Sequence, residues 1–333
     1  MKSKVLYVER KAGEFVSLEK AFRQIAQTLP DRFETEFQQA PFGTRVHDTV
    51  RNLFLFRRKP AEIYHITGHI NYLALLFPVK NTVLSIMDLR DLDRPGVRAY
   101  FLRKLYIDLP VRRLKYITAI SEQIRQELIA TTGCDPEKIR ALDLPILGHL
   151  ERPETHTFNS QEPILLQVGT MANKNIENLA VALRGMVCRL RIIGRLSHNQ
   201  RVTLEANKVN FESLQGLTDE EIRLEYGTAD IITFCSTYEG FGLPIIEGQA
   251  MGKPVVTSKR KPMTDTSGGA ACLVDPTDPS SIREGLEKVV KDSEYRAQLR
   301  ADGFKNVERF RPAKVAEQYA ALYDEILSGS LNE

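Results

Sequence analysis

The chain has 333 residues, which is long for one domain and suits two domains of ordinary size. Its composition, 42% hydrophobic and 27% charged, is that of a globular protein able to bury a core. No apolar run approaches the ~18 residues of a membrane span, and the apolar run near the N-terminus is too short for a signal sequence. The four cysteines lack metal-ligand spacing, and Cys235 and Cys272 adjoin apolar runs, so the sequence predicts buried thiols and a reducing, cytoplasmic location.

Charge is unevenly distributed along the chain. Residues 1–150 carry 24 Lys and Arg against 17 Asp and Glu, a balance of +7, within a net charge of +3 for the whole chain. This asymmetry predicts an anionic partner for the first half. The segment Arg51–Lys59 interleaves aromatic and basic residues, and two interpretations stay open. It is either an amphipathic segment packed on a sheet or a patch for anionic lipid on the inner face of a membrane.

Short apolar or β-branched runs alternate with longer amphipathic segments. The runs predicted as strands are Val5–Val8, Ile63–Ile66, Val83–Ile86, Tyr116–Ala119, Ile164–Val168, Leu190–Ile193, Ile231–Phe234 and Pro254–Thr257. The segments predicted as helices include Ser17–Thr28, Ser121–Thr131, Asn175–Arg184, Thr218–Tyr226 and Leu243–Met251. Repeated strand-then-helix order predicts parallel sheets covered on both faces, which is an α/β fold.

A polar segment divides the chain into two halves. Glu151–Pro163 contains two prolines and no apolar period, so it is predicted as the hinge between two domains. The predicted domains cover residues 1–152 and 160–312. Residues 313–333 are predicted as a C-terminal helix that packs back toward the N-terminal domain.

The stretch STYEGFGLPIIEGQAMGKPVVTS, residues 236–258, follows a predicted buried strand. Gly240 and Gly242 allow close approach of a ligand to the backbone, and Pro244 suits the first turn of a helix. A strand, a glycine turn and a helix N-terminus together form an anion site, because several amides point outward at the positive end of the helix dipole. The pattern predicts a diphosphate as the guest.

Two acids flank this turn. Glu239 precedes it, and Glu247 lies about one helical turn into the following helix. A carboxylate accepts paired hydrogen bonds from a vicinal diol, so the two acids could hold two sugars on either side of a diphosphate. The sequence therefore predicts a nucleotide-sugar site. The plainer alternative is that Glu247 is a solvated helix residue and that the glycines only form a turn.

The string EGFGLPIIEGQAMGKPVV resembles the E-x7-E signature of the family 4 (group 1) glycosyltransferases, which have the GT-B fold. The resemblance implies two Rossmann-like domains with parallel sheets facing across a cleft. It also implies transfer of a hexose-type sugar from a nucleotide-diphospho-sugar with retention of configuration, without a metal or another cofactor. The basic charge balance of the N-terminal half adds the hypothesis of peripheral membrane contact and of a glycan or lipid-linked acceptor from cell-envelope polysaccharide or glycolipid synthesis.

The same resemblance assigns roles to individual residues. Glu239 is implied as the catalytic residue that orients the donor sugar. The segment QVGTMANKN resembles the family's phosphate-binding segment, and VNFESLQGLTDEE resembles the segment that lines the nucleobase. The implied donor-binding residues are Gly169, Thr170, Lys174, Gly216, Leu217, Tyr238, Gly240, Phe241, Gly242, Leu243 and Glu247. Two positions depart from the family pattern: Met87 stands where many members have a histidine near the donor sugar, and Thr170 where many have a second phosphate-binding arginine. Either the donor is held differently, or Arg90 or another basic residue compensates, or activity is low.

The N-terminal half is expected to supply the acceptor side of the site. The predicted residues are Gly13, His65, Asp88 and Arg90, with His65 alternatively a polar strand-end residue of the fold. No carboxylate cluster beside the predicted phosphates suits Mg²⁺, and Asp91-Leu92-Asp93 is interpreted as part of a charged surface loop. The sequence also leaves a nucleotide-sugar 2-epimerase and a catalytically weak nucleotide-sugar-binding subunit open. Nucleic-acid binding is the weakest alternative, because the basic residues are spread over the N-terminal half and do not form a recognition motif.

Overall fold

The computed structural model describes residues 2–11, 17–43, 45–89, 96–148 and 156–330. These residues form two compact units. The first unit contains the described residues up to Pro145 together with those from Arg311 onward. The second contains the described residues between Ile146 and Phe310. The predicted residues Gly13 and Arg90, the Asp91–Asp93 loop and the start of the predicted hinge lie outside the described residues.

The first unit contains a parallel sheet of six strands among the described residues. The strands are β1 (Ser3–Glu9), β2 (Phe33–Gln39), β3 (Ile63–Ile66), β4 (Thr82–Ile86), β5 (Tyr116–Ala119) and β6 (Ile139–Ala141). They lie in the order β2-β1-β3-β4-β5-β6, and every neighbouring pair is parallel. The helices of this unit are α1 (Ser17–Thr28), α2 (Val46–Leu55), α3 (Val97–Arg103), α4 (Leu109–Arg113), α5 (Glu122–Thr132) and, at the C-terminus, α13 (Pro312–Ser330).

The second unit contains another parallel sheet of six strands among the described residues. The strands are β7 (Ile164–Val168), β8 (Arg189–Ile193), β9 (Phe211–Leu214), β10 (Ile231–Phe234), β11 (Val255–Ser258) and β12 (Cys272–Val274). Their order is β12-β11-β10-β7-β8-β9. The helices are α6 (Ile176–Ala182), α7 (His198–Ala206), α8 (Asp219–Thr228), α9 (Leu243–Ala250), α10 (Met263–Ser267), α11 (Pro279–Lys291) and α12 (Ser293–Val307).

The α/β fold with two parallel sheets is as the sequence predicts. The four predicted runs Ile63–Ile66, Tyr116–Ala119, Ile164–Val168 and Ile231–Phe234 are strands with those bounds. They are inner strands of parallel sheets. The crossover helices of such sheets cover both faces, so these strands have nearly continuous apolar sequences. The sequence does not predict four further strands, β2, β6, β9 and β12. These four are the edge strands of the two sheets. Edge strands are short or alternate with exposed polar residues, so their signal in the sequence is weak.

The order of the strands in the second sheet places the functional candidates. β7 and β10 are neighbours, although the chain leaves β7 toward β8 on one side and leaves β10 toward β11 on the other. Ligands of open α/β sheets bind at such a switch point, beyond the carboxyl ends of the two strands. The segments that follow β7 and β10 carry Lys174 and Glu239. The fold therefore brings the two predicted motifs to one place.

No helix among the described residues is long and apolar enough to span a membrane.

Candidate functional site

The turn between β10 and α9 has the backbone that the glycines predict. Gly242 has φ 108° and forms the N-terminal boundary of α9, and Pro244 lies in the first turn, where its missing N–H costs no helical hydrogen bond. The side chain of Phe241 is buried against Phe310, with ring centroids 5.7 Å apart, and its carbonyl accepts a hydrogen bond from Thr266 Oγ1 at 2.7 Å. These two contacts of Phe241 fix the position of the turn.

Lys174 and Glu239 form an ion pair between the two segments at the switch point. Lys174 ends a short 3-10 turn after β7, and its Nζ lies 2.6 Å from Glu239 Oε1. The same carboxylate oxygen accepts a hydrogen bond from Asn173 Nδ2 at 3.1 Å, and this amide also donates to the carbonyl of Tyr238 at 2.8 Å. The ammonium group lies 4.5 Å from the centroid of the Phe234 ring. Glu239 is buried and held in one orientation by these contacts.

Glu247 meets a second helix. It is the fifth residue of α9, half-buried, and its Oε2 accepts a hydrogen bond of 2.5 Å from the hydroxyl of Tyr226 in α8. The Tyr226 side chain is fully buried. Burial raises the pKa of Glu247 to about 6, while the Tyr226 hydrogen bond and the charge of Lys174 act in the opposite direction. Glu247 is therefore not the solvated helix residue of the plainer alternative.

Two glycine turns lie side by side behind Lys174. Gly169 has φ 87°, and its N–H donates to the carbonyl of Ile193 at 2.8 Å. A Cβ at Gly169 would lie 2.9 Å from Lys174 Cε, so the absence of a side chain makes room for the lysine. Gly194, at the end of β8, has φ 133°, and a Cβ there would lie 2.9 Å from the methyl group of Thr170.

Thr170 is occupied by contacts within these turns. Its hydroxyl donates to the carbonyl of Arg195 at 2.8 Å, and its own carbonyl accepts a hydrogen bond from Gln200 at 2.9 Å. Arg195 itself is exposed. Arg195 thus lies on the turn adjacent to Thr170, the position at which the resemblance leads us to expect an arginine.

The predicted nucleobase segment, residues 209–221, contains β9 and continues into the first turn of α8. Gly216 is exposed with φ 67°, and Leu217 is half-buried. Thr218 then caps α8 through a capping box with Glu221. Because α8 also carries Tyr226, one helix connects this segment to Glu247.

His65 belongs to the core of the first unit. Its side chain is fully buried, Nδ1 lies 2.6 Å from the hydroxyl of Tyr323, and Nε2 lies 2.7 Å from Ser85 Oγ. Burial lowers its pKa to about 3. Both ring nitrogens are used inside the fold, so the expectation that His65 contacts an acceptor is corrected. Its position agrees with the alternative interpretation, in which His65 is a polar residue that supports the fold.

Asp88 and Met87 follow β4. Met87 is buried, whereas Asp88 is half-buried. Among the described residues, no group of three or more His, Cys, Asp or Glu could hold a metal ion.

The sequence analysis did not single out Asn173 and Tyr226, which donate hydrogen bonds to the two carboxylates, or the exposed Arg195. Asn173 stands within the quoted segment QVGTMANKN, so its place beside Lys174 was the available signal. The local sequence around Tyr226 indicates only a helix, and that around Arg195 only the end of a strand. Their place beside the site follows from the order of the strands in the sheet.

Comparison with known proteins relates this chain to glycosyltransferases. Residues 150–306 match the family model described as Glycosyl transferases group 1. The solved structure of Anabaena HepE in complex with UDP and glucose covers 97% of this chain and 100% of its own, with a TM-score of 0.75 at 14% identity. The fold is therefore of the GT-B type.

Two curated proteins match parts of the chain. The D-inositol 3-phosphate glycosyltransferase of Corynebacterium efficiens is 35% identical over 108 residues, which are 32% of this chain and 26% of that protein. The O-antigen chain mannosyltransferase RfbU of Salmonella typhimurium is 24% identical over 225 residues, 63% of this chain and 61% of that protein. The alignments thus span less than two thirds of the length of these relatives.

Proposed function

We propose that this chain is a glycosyltransferase that moves a hexose-type sugar from a nucleotide-diphospho-sugar to a glycan or lipid-linked acceptor. The observation that carries the proposal is the meeting of Lys174, Glu239 and Glu247 around the Gly242 turn at the switch point of the second sheet. A metal-independent reaction with retention of anomeric configuration is part of the proposal. The match of residues 150–306 to the group 1 glycosyltransferases supports the proposed transfer of a sugar.

The donor diphosphate would lie over the N-terminus of α9. The outward amides at this helix end and the Lys174 ammonium would stabilise the negative charge that grows on the diphosphate as it departs. A diphosphate carries more charge than one lysine balances, and Lys174 already pairs with Glu239. The exposed Arg195, on the turn beside Gly169, would supply a second cation in place of the arginine missing at position 170.

The two carboxylates would take different sugars. Glu247 would accept hydrogen bonds from the ribose diol, which requires its ionised form. Glu239 would orient the hexose and stabilise positive charge near its anomeric carbon as the bond to the diphosphate breaks. Tyr226 and Asn173 would be positioning residues, because each holds one of these carboxylates without reaching the donor itself.

The first unit would bind the acceptor, with Asp88, Gly13 and Arg90 as the proposed residues. A role in envelope polysaccharide or glycolipid synthesis is proposed, and the name of the RfbU relative, an O-antigen chain mannosyltransferase, supports it. The cysteines of the described residues are free thiols, which supports a reducing, cytoplasmic location.

A second candidate is a nucleotide-sugar-binding subunit without turnover. The observation that favours it is Thr170, whose hydroxyl is used by a backbone carbonyl and carries no positive charge for a phosphate. Such a subunit would bind a donor and transfer nothing.

Calorimetry with UDP, GDP, ADP and CMP tests the donor site first, on the wild-type chain and on Glu247→Ala. We expect one nucleotide to bind, with affinity reduced at least about ten-fold by the substitution, which is ~1.4 kcal/mol. The matching nucleotide-sugars are then incubated with envelope glycans and lipid extracts, and products are identified by mass spectrometry. Binding without any product would favour the binding subunit, and no binding of any nucleotide would refute both candidates.

A further inference from the structure

Helix α2 of the first unit has an inverted distribution of polar and apolar side chains. Its buried positions are Thr49 and Asn52, which are 2% and 0% exposed. Thr49 Oγ1 lies 2.6 Å from the hydroxyl of Tyr106, and Asn52 donates to the hydroxyl of Tyr72 at 2.8 Å. The inner face of this helix is therefore held by polar contacts.

An apolar strip runs along the outer face of α2. Val46, Val50 and Phe54 are 46%, 50% and 73% exposed, and Leu55 is 56% exposed. The first three recur at every fourth residue, so they form one strip along the helix. An amphipathic helix of a globular protein normally turns such a strip toward the core, so an outward apolar strip marks a contact surface.

Cations lie at the C-terminal end of this strip. Arg57 donates to the carbonyls of Phe54 and Phe56, and Arg58 donates to the carbonyl of Leu76. These contacts hold the two guanidinium groups without cancelling their charge. Lys59, in contrast, pairs with Glu36. Among the described residues, the hydrogen bonds and ion pairs of Arg57 and Arg58 involve no carboxylate.

A cavity of about 520 Å³ opens beside the same cations. Its apolar lining includes Leu53, Phe56, Tyr64 and Leu76, and its polar lining includes the three basic residues 57–59. A basic rim over an apolar wall fits an amphiphile whose head is anionic.

A second group of exposed apolar residues lies on the neighbouring helix. In α3, Val97, Tyr100 and Phe101 are exposed, and the Thr49–Tyr106 contact joins α2 to the turn that follows α3. Exposed apolar side chains are thus present on two helices of the first unit.

We propose that the outer face of α2 docks onto an anionic lipid bilayer. Val46, Val50, Phe54 and Leu55 would enter the interface between headgroups and acyl chains, and Arg57 and Arg58 would bind lipid phosphates at the cavity. Charge complementarity selects this occupant, because uncompensated arginines next to exposed apolar side chains match an anionic membrane surface. The inference deepens the proposed function, since a docked first unit would meet a lipid-linked acceptor at the membrane.

Vesicle flotation of the full chain tests the proposal. The vesicles are phosphatidylcholine alone, and equal parts of phosphatidylcholine and phosphatidylglycerol. We expect flotation with the anionic vesicles and little with the neutral ones. Phe54→Ser/Leu55→Ser should lower the partition coefficient at least about ten-fold, because it removes two apolar side chains from the interface. Arg57→Gln/Arg58→Gln should lower it about ten-fold or more and weaken its salt dependence.

Matched controls lie in the second unit. Val187→Ser changes an apolar residue that is 68% exposed, and Lys305→Gln changes a lysine whose side chain is 79% exposed, so both variants should float like the wild type. Circular dichroism and nucleotide calorimetry check that each variant is folded.

Equal flotation with neutral vesicles, no flotation, or the same loss in the control variants would overturn the proposal. Self-association that Phe54→Ser/Leu55→Ser abolishes, without flotation, would also overturn it and assign the strip to a second copy. Nucleotide binding and transfer are measured separately, so failure of the membrane contact is distinguishable from failure of the proposed activity.

Discussion

Lys174 Nζ lies 2.6 Å from Glu239 Oε1, and this ion pair joins the segments that follow two neighbouring strands of the second sheet. The side chains are 15% and 11% exposed, so water screens their charges only weakly. In the proposed function a diphosphate would compete with Glu239 for the ammonium. The pair would then be the state of the site before the donor binds, and donor binding would release the carboxylate for the sugar.

Substitution of each partner should separate binding from transfer. Lys174→Ala removes the cation, so affinity for the nucleotide identified in the screen should fall at least about ten-fold. Glu239→Gln keeps the shape and removes the competing charge, so affinity for that nucleotide should stay within about three-fold or rise while transfer falls at least about 100-fold. Calorimetry and a product assay measure the two effects, with Lys305→Ala as the control. Equal loss of nucleotide affinity in both variants would instead make Glu239 only a structural partner of Lys174.

Donor binding should weaken in mild acid because of Glu247. Its pKa is raised to about 6, so the carboxylate is ionised at pH 7.5 and becomes protonated as the pH falls toward 5. Affinity for a nucleotide-diphospho-sugar of the identified nucleotide, whose diphosphate does not titrate in this range, should therefore fall between pH 7 and pH 5. Calorimetry across this interval measures the midpoint, and Glu247→Gln should abolish the dependence. A pH-independent affinity in the wild type would remove Glu247 from the donor site.

Tyr226→Phe should move that midpoint upward. The phenol hydrogen bond stabilises the ionised carboxylate, so its loss raises the pKa of Glu247 further and weakens binding most near pH 6 to 7. At pH 8 the variant should approach the wild-type affinity. A uniform loss at all pH values would indicate that Tyr226 only supports packing.

Gly248, next to Glu247, should prove to be a packing residue. A Cβ at this position would lie 2.6 Å from Ile232 Cγ1 and 3.2 Å from Val255 Cγ2, in the tight contact of α9 with β10 and β11. Gly248→Ala should therefore lower the free energy of unfolding by about 1–3 kcal/mol. Gly227→Ala, in α8 with only an ordinary contact of 3.6 Å to Met251, should be neutral or slightly stabilising. Urea denaturation of both variants makes the comparison, and similar midpoints would contradict this explanation.

The first unit should lose stability in acid through His65. The folded pKa is lowered to about 3 while the unfolded value is near 6.5, so the contribution is complete above pH 6.5 and declines as the pH falls. The loss should reach about 2 kcal/mol at pH 5. Urea denaturation followed by tyrosine fluorescence, at pH 7 and pH 5, measures it. His65→Gln should be less stable at pH 7 but show a smaller loss at pH 5, and an equal loss would contradict the assignment.

Much of the second unit was predictable from local patterns. The run Ile231–Phe234, the turn through Gly242 and the helix that begins at Leu243 all appear at the expected residues. Inner parallel strands are covered on both faces and therefore carry long apolar runs, and a left-handed turn favours glycine. Such features depend on the residues themselves and on their immediate neighbours, so a single sequence contains them.

Partners across the sheet were not predictable in the same way. Asn173 meets Glu239 across 66 residues, and Tyr226 meets Glu247 across 21 residues. The buried polar face of α2 and the buried imidazole of His65 likewise contradict what a polar side chain suggests locally. By itself the sequence determined the strand–turn–helix segments, the left-handed glycine turn and the two acids around it. Only the tertiary structure decided which strands are neighbours, because each burial, each hydrogen bond and the raised pKa of Glu247 depend on atoms that distant segments bring into contact.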